Sequence, residues 1–201
     1  NEYQIPMVIV GSKIPKTNIA NVGNVYVDFE QMAYDLVNTC FEKGIEDIAL
    51  VEDKLNLSMM EQLKNGIDKA YEEKGKKFEK YISYDDSYKS SYVFLTEHFK
   101  QMKPSQMVIT LRDSQAIAVL NASSEAGYKV PDDYELICVL NNKYLNMVRP
   151  HISSYNIPEY DMGAVAMRLL TKMLVEDKDK KQPLNKEIEM TYSFLKRSSV
   201  K

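Results

Sequence analysis

Met107–Leu140, MVITLRDSQAIAVLNASSEAGYKVPDDYELICVL, decides the fold class of this chain. It opens on Met107-Val108-Ile109-Thr110, an apolar run without polar alternation, which is how a strand buried on both faces reads. A helix-forming stretch from about Asp113 to Ala126 follows, and Leu136-Ile137-Cys138-Val139-Leu140 is a second apolar run. Two such strands joined through a helix make the repeating unit of a parallel sheet.

The unit recurs in both directions. Toward the N-terminus, Met7-Val8-Ile9-Val10-Gly11 reads as a strand, followed by a Pro/Asn/Gly loop and the strand Val25-Tyr26-Val27. A helix from about Phe29 to Lys43 is expected to stop at Gly44, whose missing Cβ suits a left-handed cap. Ile48-Ala49-Leu50-Val51 is a buried strand, with helices over Ser58–Lys74 and Ser87–Met102 flanking a short strand near Tyr81. Toward the C-terminus come Ile152–Tyr155, a helix after Pro158, and a closing strand over Glu187–Leu195. Glu176–Lys181 reads as a solvated charged turn. The fold class is therefore α/β, with parallel sheets covered by helices on both faces.

Composition sets limits. With 201 residues, 44% hydrophobic, the chain can build one sizeable core or two smaller ones. A net charge of −3 and the lack of any basic run do not suit binding nucleic acid over the whole surface. No apolar run approaches the roughly 20 residues needed to cross a bilayer. Cys40 and Cys138 fall within a helix and a strand, where buried reduced thiols are the expectation, as in a cytoplasmic protein.

The helix after Pro158 has two distinct sides. At about 100° per residue, Gly163, Ala166, Met167, Leu170, Met173 and Leu174 share an apolar side, expected to face the core. Tyr160, Asp161, Val165, Arg168 and Lys172 lie within about 140° of one another on the other side. That face mixes an aromatic, an acid and two bases and suits a protein surface, with Arg168 able to grip a carboxylate or phosphate. From the pattern alone, a solvated helix face is the more economical reading.

A longer motif tips that balance. The run Met147–Lys172, MVRPHISSYNIPEYDMGAVAMRLLTK, resembles the corresponding segment of carbon-catabolite regulators of the LacI/GalR family. The resemblance extends to VYVDFEQMAYDLV (Val25–Val37), GIEDIALVED (Gly44–Asp53), the Asp113 region, GYKVPDDYELICV (Gly127–Val139) and LKRSS (Leu195–Ser199). It implies two Rossmann-like subdomains of the periplasmic-binding-protein type, linked by three crossovers. On that template 1–27 and 151–201 form a partial first subdomain and 28–150 the second. The family's DNA-binding headpiece and opening strands have no counterpart here. Operator DNA would be met only through that headpiece.

The resemblance also implies a partner. The helix of these regulators receives serine-phosphorylated HPr as a protein corepressor, and the matching positions are Tyr160, Asp161, Val165, Arg168 and Lys172. The regulators act as homodimers, and a sugar phosphate is a possible further ligand. Their inter-subdomain cleft is a poorer match. An acid of the family stands as Gly11, its R-x-x-G arginine as Leu63 before Gly66, and its G-F-D-D acids as Asn141 and Asn142. Asp28, Asp113, Asn141 and Asn142 remain as cleft candidates, though each aspartate equally suits a helix N-cap. The alternatives are a sugar-responsive repressor of the same family or a solute-binding protein, both using the cleft.

An enzyme is not expected. His98 and His151 have no nucleophile motif near them, and no G-x-G-x-x-G, P-loop or G-x-S-x-G pattern occurs. No metal or cofactor site is expected.

Overall fold

The computed structural model describes residues 5–15, 21–52, 58–82, 87–175 and 184–201. The expected turn at Glu176–Lys181 lies outside them. The described residues form two compact units, one of 1–29 with 157–192 and one of 30–156 with 193–201.

The second unit holds a six-stranded sheet. Its strands are β3 (Ile48–Glu52), β4 (Glu79–Ile82), β5 (Met107–Thr110), β6 (Glu135–Leu140), β7 (Ser153–Asn156) and β9 (Ser193–Leu195). They lie in the order β4-β3-β5-β6-β7-β9, all parallel except β9, which runs antiparallel to β7. The apolar runs read as doubly buried strands are so: every residue of β3 and β5 is buried. Ala49, Val51, Val108, Leu136 and Cys138 share one core with Leu95 and Phe99 of α3 (Tyr88–Gln101) and Val119 of α4 (Asp113–Glu125). By the two-residue period, Ile48, Leu50, Ile109 and Ile137 point to the opposite face and are equally buried. The helices left to cover that face are α1 (Phe29–Glu42) and α2 (Ser58–Glu72).

Local chemistry sets the element ends. Gly44 closes α1 at φ 76°, with Gly44 N–H donating to the Phe41 carbonyl and Ile45 N–H to that of Cys40, the double bond expected of a left-handed cap. Ser87 starts α3, its side chain accepting from Ser90 N–H. At Gly66 of α2 a Cβ would run into the Glu30 carbonyl and Ala33 of α1, so glycine there sets how closely the two helices approach. Leu63, where the resemblance places an arginine, is 1% exposed, a buried position of the same helix.

The first unit is smaller. β1 (Met7–Ser12), β2 (Val22–Val27) and β8 (Glu187–Glu189) form a parallel three-stranded sheet with β2 in the middle, and α5 (Glu159–Leu174) packs on β1 and β2. Gly23 allows this approach, because a Cβ there would press on Leu169 and Met173 of α5.

Two expectations change. The closing strand over Glu187–Leu195 is two short strands, β8 and β9, in different sheets, parted at Met190–Tyr192. The division between units is also drawn differently from 150/151, because β7 still hydrogen-bonds to β6 and the chain returns through β9 to pair with β7. Without β9 the outer edge of β7 would be unpaired, and β9 fills that edge; no local pattern carries this information.

Candidate functional site

α5 buries Met162, Ala166, Leu169 and Met173, a stripe of i, i+4, i+7, i+11 spacing. This corrects the expected core face. Leu170 is half-buried, Gly163 is exposed, and Met167 and Leu174 are 63% and 64% exposed. The helix is turned about 70° from the expected orientation, since its apolar arc is wider than the strip a three-stranded sheet can cover.

The proposed partner face is turned outward. Tyr160 is 88% exposed, Asp161, Arg168 and Lys172 are exposed, and Val165 is half-buried at the margin. Among the described residues, Asp161, Arg168 and Lys172 take part in no ion pair. Among the described residues these charges are therefore uncommitted, on a helix that packs through its opposite side.

The four cleft candidates belong to different settings. Asp28, in the first unit, forms an ion pair with Lys13 at 2.7 Å, and that hydrogen bond raises the lysine pKa. Asp113 is the first residue of α4 rather than its cap. Arg112 occupies the cap position, its N–H donating to Gln115 Oε1, while Asp113 Oδ1 accepts from Ser114 N–H at 2.9 Å. Asn142 caps the short 3₁₀ helix Lys143–Asn146 by accepting from Tyr144 N–H. Asn141 is joined to two residues that sequence reasoning did not assign. Its Oδ1 accepts from Ser154 Oγ at 3.0 Å and from Arg197 Nη2 at 2.9 Å.

Arg197 is the functional candidate missed in the sequence. It follows β9, and its Nη1 donates to the Ile152 carbonyl and to Ser154 Oγ, each at 2.6 Å. Burial lowers its pKa from the usual arginine value. Asn141 lies 56 positions away, so only the return of β9 to the second sheet brings the two together.

The histidines and cysteines hold structural places. His98 stacks on Phe94 and meets Phe99 edge-on, and burial lowers its pKa. His151 anchors the C-terminal segment, its backbone N–H donating to Ser198 Oγ. Cys40 and Cys138 are free and buried, with burial pushing each thiol up to about 12. Among the described residues no helix is long and apolar enough to cross a membrane, and no group of three or more metal-ligand side chains comes together.

A family model described as a periplasmic binding protein-like domain matches residues 37–200. The chain is 30% identical over 181 residues to catabolite control protein A of Staphylococcus epidermidis, covering 88% of this chain and 53% of that protein. It is 30% identical over 180 residues to catabolite control protein A of Staphylococcus aureus strain Mu50, covering 89% and 53%. It thus spans about half the length of these curated relatives. The crystal structure of the transcription regulator CcpA of Lactococcus lactis aligns at a TM-score of 0.77 and 28% identity, over 98% of this chain and 70% of that one.

Proposed function

The chain belongs to the periplasmic binding protein-like family, as a LacI-type core similar to catabolite control protein A, and on that premise we propose that it senses the effector for a dimeric, DNA-binding, cytoplasmic regulator of carbon catabolite control. The effector is serine-phosphorylated HPr, seated on Tyr160, Asp161, Val165, Arg168 and Lys172. The chain carries out no catalysis in this reading; operator contacts belong to a separate DNA-binding part of the whole regulator.

One observation carries the proposal: α5 presents a nearly bare tyrosine beside an acid and two bases with no ion-pair partner among the described residues. An exposed aromatic flanked by uncommitted charge is the composition of an interface centre with a steering rim. Arg168 and Lys172 meet the partner's negative groups, Asp161 a partner base, and Tyr160 with the margin of Val165 the apolar middle. Binding acts as a population shift, favouring the arrangement of the two units that the partner contacts better.

Calorimetric titration of the whole regulator with HPr, phosphorylated on serine and unmodified, tests this. Saturable binding of the phosphorylated form alone is expected. Arg168→Ala should weaken it by about tenfold or more, the scale of one lost charge contact, with thermal stability unchanged. Equal binding of both forms, or no effect of Arg168→Ala, would remove this face from the mechanism.

A further inference from the structure

Three charged side chains, Arg149, Lys196 and Arg197, flank the segment that leads into β7, together with the imidazole of His151. Among the described residues none of the four takes part in an ion pair. Arg197 is spent on neutral acceptors, the Ile152 carbonyl, Ser154 Oγ and Asn141 Oδ1. Arg149 Nη1 donates to the Asn146 and Val148 carbonyls and stands 3.4 Å from His151 Nδ1. A guanidinium carries five N–H donors, and the Nη2 and Nε hydrogens of Arg149 meet no acceptor among the described residues. Cations gathered without an acid repel one another, and an anion placed among them is attracted by all of them.

The group set among these cations is a serine hydroxyl. Ser198 is exposed, and its Oγ accepts from His151 N–H at 2.9 Å and makes a long bond to the His151 carbonyl at 3.4 Å. It lies past the last β7–β9 pair, Ser154 with Leu195, so two bonds to one residue hold the hydroxyl. The next residue differs. Ser199 is 0% exposed, its Oγ accepting from Ser153 N–H and donating to the Leu136 carbonyl. Lys196 and Arg197 immediately precede Ser198, and Lys196 is exposed, a basic lead-in suited to the acidic substrate groove of a kinase. A phosphate on Ser198 would bring three acceptor oxygens and nearly two negative charges to a backbone N–H already aimed at that position.

We propose that Ser198 is a phosphorylation site, with Arg149 and the His151 N–H as the receptor of its phosphate. In the transfer, Ser198 Oγ bonds to the γ-phosphorus of a nucleoside triphosphate held by a separate serine kinase. The bond from that phosphorus to the β-bridging oxygen breaks, the hydroxyl proton passes to the kinase, and the nucleoside diphosphate leaves. The phosphate then ties the segment after β9 to residues 149–151, the stem of the loop that carries the 3₁₀ helix Lys143–Asn146. β7 runs parallel to β6, so Ser198 stands toward the amino end of these strands, whereas Asn141 and Asn142 follow the carboxyl end of β6. The site is built within the second unit and does not depend on the protein-corepressor reading.

The test uses the 201-residue chain, incubated with ATP labelled in its γ-phosphate and the catalytic subunit of cyclic-AMP-dependent protein kinase, which selects serines behind basic residues. The chain should take up label, and peptide mass spectrometry should find the phosphate on Ser198. Ser198→Ala should abolish the uptake and Ser198→Thr, which keeps a hydroxyl, should retain it, so that loss of label is not confused with loss of the fold. Phosphorus NMR of the labelled chain then reads the receptor. A free phosphoserine loses its second proton near pH about 6, and beside Arg149 and the His151 N–H it should do so at lower pH. Arg149→Ala should move that titration back toward about 6. The proposal fails if no label enters, if Ser198→Ala is labelled as the parent is, or if the phosphate titrates as free phosphoserine does whether or not Arg149 is present.

Discussion

The two units are made of the same kind of pieces and are finished to different degrees. Among the described residues the second has six strands and four α-helices, and β3, β5 and most of β6 are buried. The first has, among the described residues, three strands and one helix. Its edge strand β1 leaves Met7, Ile9 and Val10 between 42% and 48% exposed, although their sequence is as apolar as that of β5. What separates β1 from β5 is its neighbours, since a strand's hydrophobicity shows what it can bury and only its position in the sheet decides what it does bury. The polar features divide along the same line: the charge-bearing face of α5 belongs to the first unit, and the hydrogen-bonded pair Arg197–Asn141 to the second.

This contrast yields predictions of decreasing size. Both cysteines lie in the second unit, so their alkylation in the native protein should be slower than in the denatured chain by roughly a thousandfold or more, as expected for groups exposed only by large-scale opening. Near-equal rates would mean that the second unit opens as readily as a surface loop. The same thiols give a pH dependence. Burial raises each from 9.0 to about 12, so the folded state holds the proton more firmly than the unfolded chain does. Their contribution to stability is complete below pH about 9 and should be lost progressively between about 9 and about 12.

Next in size, Leu136→Ala, in the core shared by β6 and α4, should cost about 3–5 kcal/mol in denaturant unfolding. Leu169→Ala, under α5, should cost about 2–3 kcal/mol, because a thinly covered site can collapse around the gap. The same change at half-buried Leu170 should cost less than about 1 kcal/mol, and a larger loss there than at Leu169 would restore the helix orientation expected from the sequence.

Much of the fold was open to a reader of the chain alone. The order of strands and helices, the two-faced burial of β3, β5 and β6, and the stop at Gly44 follow from local residue patterns, because hydrophobic period and cap chemistry act over a few positions. The exposed character of Tyr160, Arg168 and Lys172 was legible for the same reason. The face of α5 that is buried was not. Its apolar residues cover more of the helix than the sheet beneath can use, and the choice of Leu169 over Leu170 was made by Gly23 admitting the helix at one point. Nor did local pattern show that Glu187–Leu195 would break into strands of two sheets. Residue type alone marked Asn141 as a hydrogen-bonding group, but the return of β9 to β7 set Arg197 against it and fixed the direction its amide points. The sequence by itself determined which segments are strand, helix and turn, since those depend on neighbours along the chain. Tertiary structure decided which apolar surfaces are covered and which polar groups meet, since those depend on residues many tens of positions away.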